Sequence, residues 1–128
     1  MPESEKITIN LGAVDLGKID LLVQEELYSN RTDFIRAAIR SQVEKHHLEV
    51  EQSVARHSFV IGAVWYHRKH LERLRAEGKR LAISVIGMLG FYKDVPADLV
   101  SAVIETVQLR GVLRASESVK NALADRME

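Results

Sequence analysis

Lys6, Thr8 and Asn10 alternate with Ile7, Ile9 and Leu11 in the run KITINL. In an extended chain, successive side chains point to opposite faces, so the three polar groups project together from one side. They form a row of hydrogen-bonding groups: an ammonium with three donors, a hydroxyl that donates and accepts, and an amide that does both. Such a row suits the base edges of a DNA major groove. There Asn favours adenine, Lys favours guanine, and Thr reaches a base or a thymine methyl. One strand alone cannot hold the row in place, because it has no pairing partner and no cover for its apolar side.

The residues that follow say what must position it. Gly12 breaks the alternation, Asp15 is the expected N-cap, and Leu16, Ile19, Leu22, Val23 and Leu27 recur at helical spacing. Gly17 weakens this helix by roughly 1 kcal/mol relative to Ala. After LYSN comes NRTD, a variant capping box with Asn30 as N-cap and Asp33 at N3, or with Ser29 as the cap if the boundary lies one residue earlier. A second helix runs through Ile35, Ala38, Ile39 and Val43 to about His47, and residues 48–54 read as a connector. Strand–helix–helix in about 45 residues does not close a core by itself. The cheapest partner is a second copy. Two copies would pair their strands antiparallel, lay Ile7, Ile9 and Leu11 on four helices, and present a two-stranded polar ribbon of a width that enters a major groove.

Composition sets limits on this reading. The 128 residues are 46% hydrophobic and 28% charged, with no cysteine and zero net charge. That is the profile of an ordinary folded domain, without disulfides or thiolate metal sites. Residues 1–50 hold nine acidic and six basic side chains, and residues 51–128 hold nine and twelve. Nucleic-acid binding by the first half would therefore rest on the placement of a few groups and not on bulk charge. No apolar run approaches a membrane span and none resembles a signal peptide, so a cytoplasmic protein without membrane contact is expected. No glycine-rich phosphate loop, nucleophile motif or acid/base pair is visible, so no enzymatic activity is expected. Asp94 and Asp98 flank a turn that they more simply shape.

In the second half, SFVIGAVWY (58–66) reads as a strand buried on both faces, HRKHLERLRAEG as a helix stopped by Gly78, and KRLAISVIGMLGFY (79–92) as another apolar strand. Residues 96–106 fit either a returning hairpin strand or a helix opened by Pro96; the Val, Ile and Thr content tips the choice to the hairpin. ASESVKNALADRM closes as a helix capped by Ser116. No internal repeat is apparent. The order strand–helix–strand–strand–helix predicts a small ferredoxin-like α+β domain over 55–128. Two helices cover one sheet face at most, so the other is free for another subunit. His67 and His70 share a helix face and His46 and His47 are adjacent, but polar surface is the simpler reading for all four, and neither metal nor cofactor is expected.

Glu5–Val43 resembles the ribbon-helix-helix fold of the MetJ/Arc/CopG regulators in its alternating KITINL, amphipathic first helix and YSNRTDFIRAAIR junction. The overall expectation is an α+β chain with a ribbon-helix-helix domain over 1–47. The resemblance implies an obligate dimer through residues 5–43 that binds double-stranded DNA with Lys6, Thr8 and Asn10. It also implies that Ser29, Asn30, Arg31 and Thr32 hold a phosphate, in keeping with the open amides and positive dipole of a helix start. A transcriptional repressor is the expected role. An antitoxin and a plasmid-maintenance or architectural protein share the same DNA-binding half. The second half is similar in layout to the ACT-like domain of the nickel-responsive repressors, which implies a tetramer core and leaves room for a small-molecule effector. It lacks that family's His-x-His and Cys ligands.

Overall fold

The computed structural model describes residues 4–128. The chain divides into two units, one reaching Gln52 and the other running from Ser53 to Glu128.

In the first unit, residues 4–12 form neither helix nor strand. Helix α1 spans Ala13–Gln24 and α2 spans Arg31–Glu44. Helix α1 starts three residues earlier than its sequence suggests. Gly12 is the N-cap, its carbonyl accepting from the Leu16 N–H at 3.1 Å, and Asp15 sits inside the first turn. An acidic group there is favourable because it faces the positive end of the helix dipole. The helix closes with hydrogen bonds from Glu26 N–H to the Val23 carbonyl (3.0 Å) and from Leu27 N–H to the Leu22 carbonyl (3.1 Å). That closure needs a left-handed residue, and Glu26 supplies it at φ 65°. Left-handed backbone costs a side-chain-bearing residue about 1–2 kcal/mol. Glu26→Gly is therefore expected to raise stability by about 1 kcal/mol in urea unfolding, with the slope unchanged.

Residues 48–54, expected as a connector, are helical: they lie in α3 (His47–His57), which contains the division between the units.

The second unit departs from the expected architecture. Its elements are β1 (Val60–Tyr66), α4 (Arg68–Ala76), β2 (Leu81–Phe91), α5 (Ala97–Val103), β3 (Ile104–Arg114) and α6 (Glu117–Leu123). The sheet order is β1-β2-β3, and both pairings are parallel. This corrects the ferredoxin-like, ACT-like expectation, which needs an antiparallel hairpin between the second and third strands. The ambiguous stretch is both of the things it resembled. Leu99, Val100 and Val103 form a short helix behind Pro96, and the strand begins at Ile104. That helix carries the chain back to the start of the sheet, and parallel pairing requires such a crossover.

The core lies between the sheet and the three helices. Ile83, Val85, Leu89 and Phe91 of β2 meet Leu71 of α4, Leu99, Val100 and Val103 of α5, and Val119 and Leu123 of α6. The opposite sheet face carries Ile61, Trp65, Ile86, Met88 and Val112. Ile61 stays 65% exposed, so β1 is an exposed edge strand and not the doubly buried one expected. The far edge, on β3, is occupied by the chain end: Val107 N–H donates to the Arg126 carbonyl (2.9 Å) and Glu128 N–H to the Val107 carbonyl (2.8 Å). Gly78 stops α4 at φ 68°, with Lys79 N–H on the Leu74 carbonyl at 2.9 Å, and the Ser116 hydroxyl caps α6 through Val119 N–H at 3.3 Å. Both follow the sequence reading.

A strand–helix unit thus occurs three times, and each strand carries a central glycine. Gly62, Gly87 and Gly111 stand in register across the sheet at φ 134°, 132° and 138°. A Cβ on Gly87 would overlap the carbonyl oxygen of Gly62, and one on Gly111 that of Gly87. The three strands approach each other along this row through backbone alone.

Candidate nucleic-acid interface

Lys6, Thr8 and Asn10 lie on the leading segment, and all three are exposed. Their apolar neighbours are exposed too: Ile7 is 73%, Ile9 54% and Leu11 42% accessible. Helices α1 and α2 continue the pattern. Val14, Leu21, Leu27, Ile39 and Val43 are open to solvent, and in the two helices only Ile19 is buried. Apolar surface is thus left open along three consecutive segments.

The start of α2 is tightly built. Asn30 is the N-cap, its side-chain oxygen accepting from Asp33 N–H at 2.8 Å. The Asp33 carboxylate reaches back one residue further than an ordinary capping box and accepts from Ser29 N–H at 3.1 Å. The amides of Asn30, Arg31 and Thr32 are thereby left to the first turn, where the helix has no acceptors of its own. Tyr28 and Phe34 meet edge to face at 5.0 Å across the junction and fix the entry of the chain into the helix.

The Arg31 side chain has a partner within the chain. Its guanidinium forms a two-point pair with Asp20 of α1, Nε to Oδ1 at 2.7 Å and the second nitrogen to Oδ2 at 2.8 Å. The side chain ties α1 to α2. Asp20 had no signal in the sequence, since nothing in local spacing links it to a residue one helix later. Hydrogen bonds from Arg31 hold the Asp20 carboxyl below the usual carboxylate range, and the same bonds raise Arg31. A depressed carboxyl pKa gives stability that is present above the ordinary aspartate value and disappears as pH falls through the lowered one. A carboxyl-detected NMR titration should find Asp20 protonating at lower pH than an ordinary aspartate, and the α1–α2 tie loosening with it.

Among the described residues, no group of three or more His, Asp or Glu side chains comes together as metal ligands. His67 has another task, capping α4 by accepting at Nδ1 from His70 N–H (3.3 Å). No helix among the described residues is long and apolar enough to cross a membrane.

The family model for ribbon-helix-helix transcriptional regulators matches residues 2–120. No curated protein and no solved structure matches the chain.

Proposed function

Because the chain belongs to the ribbon-helix-helix transcriptional regulator family, a family of DNA-binding regulators, we propose that two copies form an obligate dimer through residues 5–43 and act as a sequence-specific repressor. Their leading segments pair antiparallel, Ile7, Ile9 and Leu11 turn onto α1 and α2 of both chains, and the ribbon enters the major groove with its polar side outward. Lys6, Thr8 and Asn10 read base edges. The amides of Asn30, Arg31 and Thr32, with the Ser29 side chain beside them, hold a backbone phosphate and set the register. The observation that carries this is the exposure of Ile7, Ile9 and Leu11 beside the exposed apolar residues of both helices. One chain cannot cover these residues; a symmetry mate covers them all.

Residues 55–128 join dimers into a tetramer in this proposal, and the exposed Ile61 on the edge strand β1 supports a further contact between copies. A second unit with a buried core of its own supports a regulator over an antitoxin, whose toxin-binding tail usually folds only on its partner.

The test is a selection of bound sites from random DNA, followed by gel shifts of single variants. Thr8→Ala and Asn10→Ala should each weaken the selected site by about 1–3 kcal/mol and relax one position of it, with the dimer intact by sedimentation. Asn30→Ala should weaken all sequences alike, because a phosphate contact carries no sequence information. Undiminished binding by both ribbon variants would refute the ribbon assignment.

A further inference from the structure

Parallel strands end together. The last residues of β1, β2 and β3 therefore meet at one end of the sheet, the end where parallel α/β sheets carry their ligands. A solvent-open cavity of about 1190 Å³ lies there, and its lining includes Trp65, Tyr92, Lys93, Asp94 and Arg114. The Trp65 indole lies against Gly90, where a Cβ would overlap it, so the missing side chain seats the ring on β2. Tyr92 stands beside it with ring centroids 5.2 Å apart and planes tilted by 40°. Trp65 is 38% and Tyr92 51% exposed, leaving an aromatic shelf open to the cavity. Lys93 and Arg114 supply positive charge around it. The guanidinium has five donors, so Arg114 can serve a ligand as well as its interaction within the chain. Asp94 is the one carboxylate in the described lining, and it lies in the field of Arg68 at the start of α4.

We propose that this cavity binds a planar aromatic carboxylate, its ring against Trp65 and Tyr92 and its carboxylate toward Lys93 and Arg114. An aromatic ring covers exposed ring surface with offset or edge contacts that an aliphatic ligand cannot make. The two cations select an anion over a neutral analogue of the same shape. The site belongs to the second unit, and its test needs no DNA, so it stands or falls apart from the ribbon.

Trp65 is the single tryptophan of the chain, so its indole N–H gives one cross-peak that reports on the cavity. The full-length protein is titrated with benzoate, with benzyl alcohol as a neutral ring, and with cyclohexanecarboxylate as an anion without a flat ring. Benzoate should shift the peak saturably, with a Kd on the order of 1 mM for so small a ligand. Either control should bind at least tenfold more weakly. Tyr92→Ala and Lys93→Met change exposed side chains, and each should weaken benzoate several-fold while the other cross-peaks stay in place. No saturable shift, or equal binding of the neutral ring, would overturn the proposal. So would a peak that follows protein concentration and ignores benzoate, a result that would assign this end of the sheet to a second copy of the chain.

Discussion

Gly87→Ala is expected to cost the second unit about 3–5 kcal/mol, from a left-handed backbone forced on a residue with a side chain and from overpacking against a neighbouring strand. Gly87 is in the central strand, with Gly62 on one side and Gly111 on the other. The atom that the new methyl meets is a backbone carbonyl oxygen, which cannot rotate away as a side chain would. Relief requires β1 to move off β2, and that opens the core between Val64, Val85 and Leu89. Domains of this size hold only about 5–15 kcal/mol in all. The variant should therefore unfold at far lower urea, and Trp65 on β1 should report the change. Gly111→Ala should behave alike, because its methyl would meet the Gly87 carbonyl. A midpoint within experimental scatter of the parent would mean that the strands do not approach along this row.

Ile9→Asp is expected to abolish the dimer and DNA binding together. In the proposed assembly each Ile9 is buried, and burying an isoleucine is worth about 1.5–3 kcal/mol, counted twice in a symmetric pair. The replacement also sets two carboxylates in an apolar core without partners. The combined loss is at least about 3–6 kcal/mol, or a hundredfold to more than ten-thousandfold in dimer affinity. In the single chain Ile9 is 54% exposed, and nothing there penalises a polar residue. A variant that is monomeric by sedimentation yet keeps the helical signal of α1 and α2 is the expected result. Lys6→Ala makes the comparison, since it should keep the dimer and lose only DNA affinity.

The parts of the molecule legible in the sequence are those set by neighbours in the chain. Asn30 and Asp33 read as a cap from three residues' spacing, and the structure differs only in which amide Asp33 takes. Gly78 and Ser116 announced a helix end and a helix start for similarly local reasons. The alternation of Lys6 to Leu11 separated two faces before any partner was known. What was not legible depends on distant pairing. Residues 97–114 carry β-branched residues throughout, and only the parallel crossover makes the first seven of them helical. Gly62, Gly87 and Gly111 look like three isolated strand glycines until the crossovers bring them into one row. Asp20 and Arg31 meet because α1 and α2 pack together. The exposure of β1 follows from its place at the sheet edge, which an apolar run does not encode.

The pairing of leading segments can be tested directly because the chain contains no cysteine. Single cysteines are placed in turn at positions 6 to 11, and each protein is oxidised at low concentration. In an antiparallel ribbon with a two-fold axis, one position faces its own copy across the strands, within the Cα separation of about 4.4–6.8 Å that a disulfide requires. Crosslinking should peak sharply at that position, fall away on both sides, and yield a covalent dimer that still binds the selected site. Uniformly slow crosslinking along the segment, while the protein still binds DNA, would show that the two chains do not meet there.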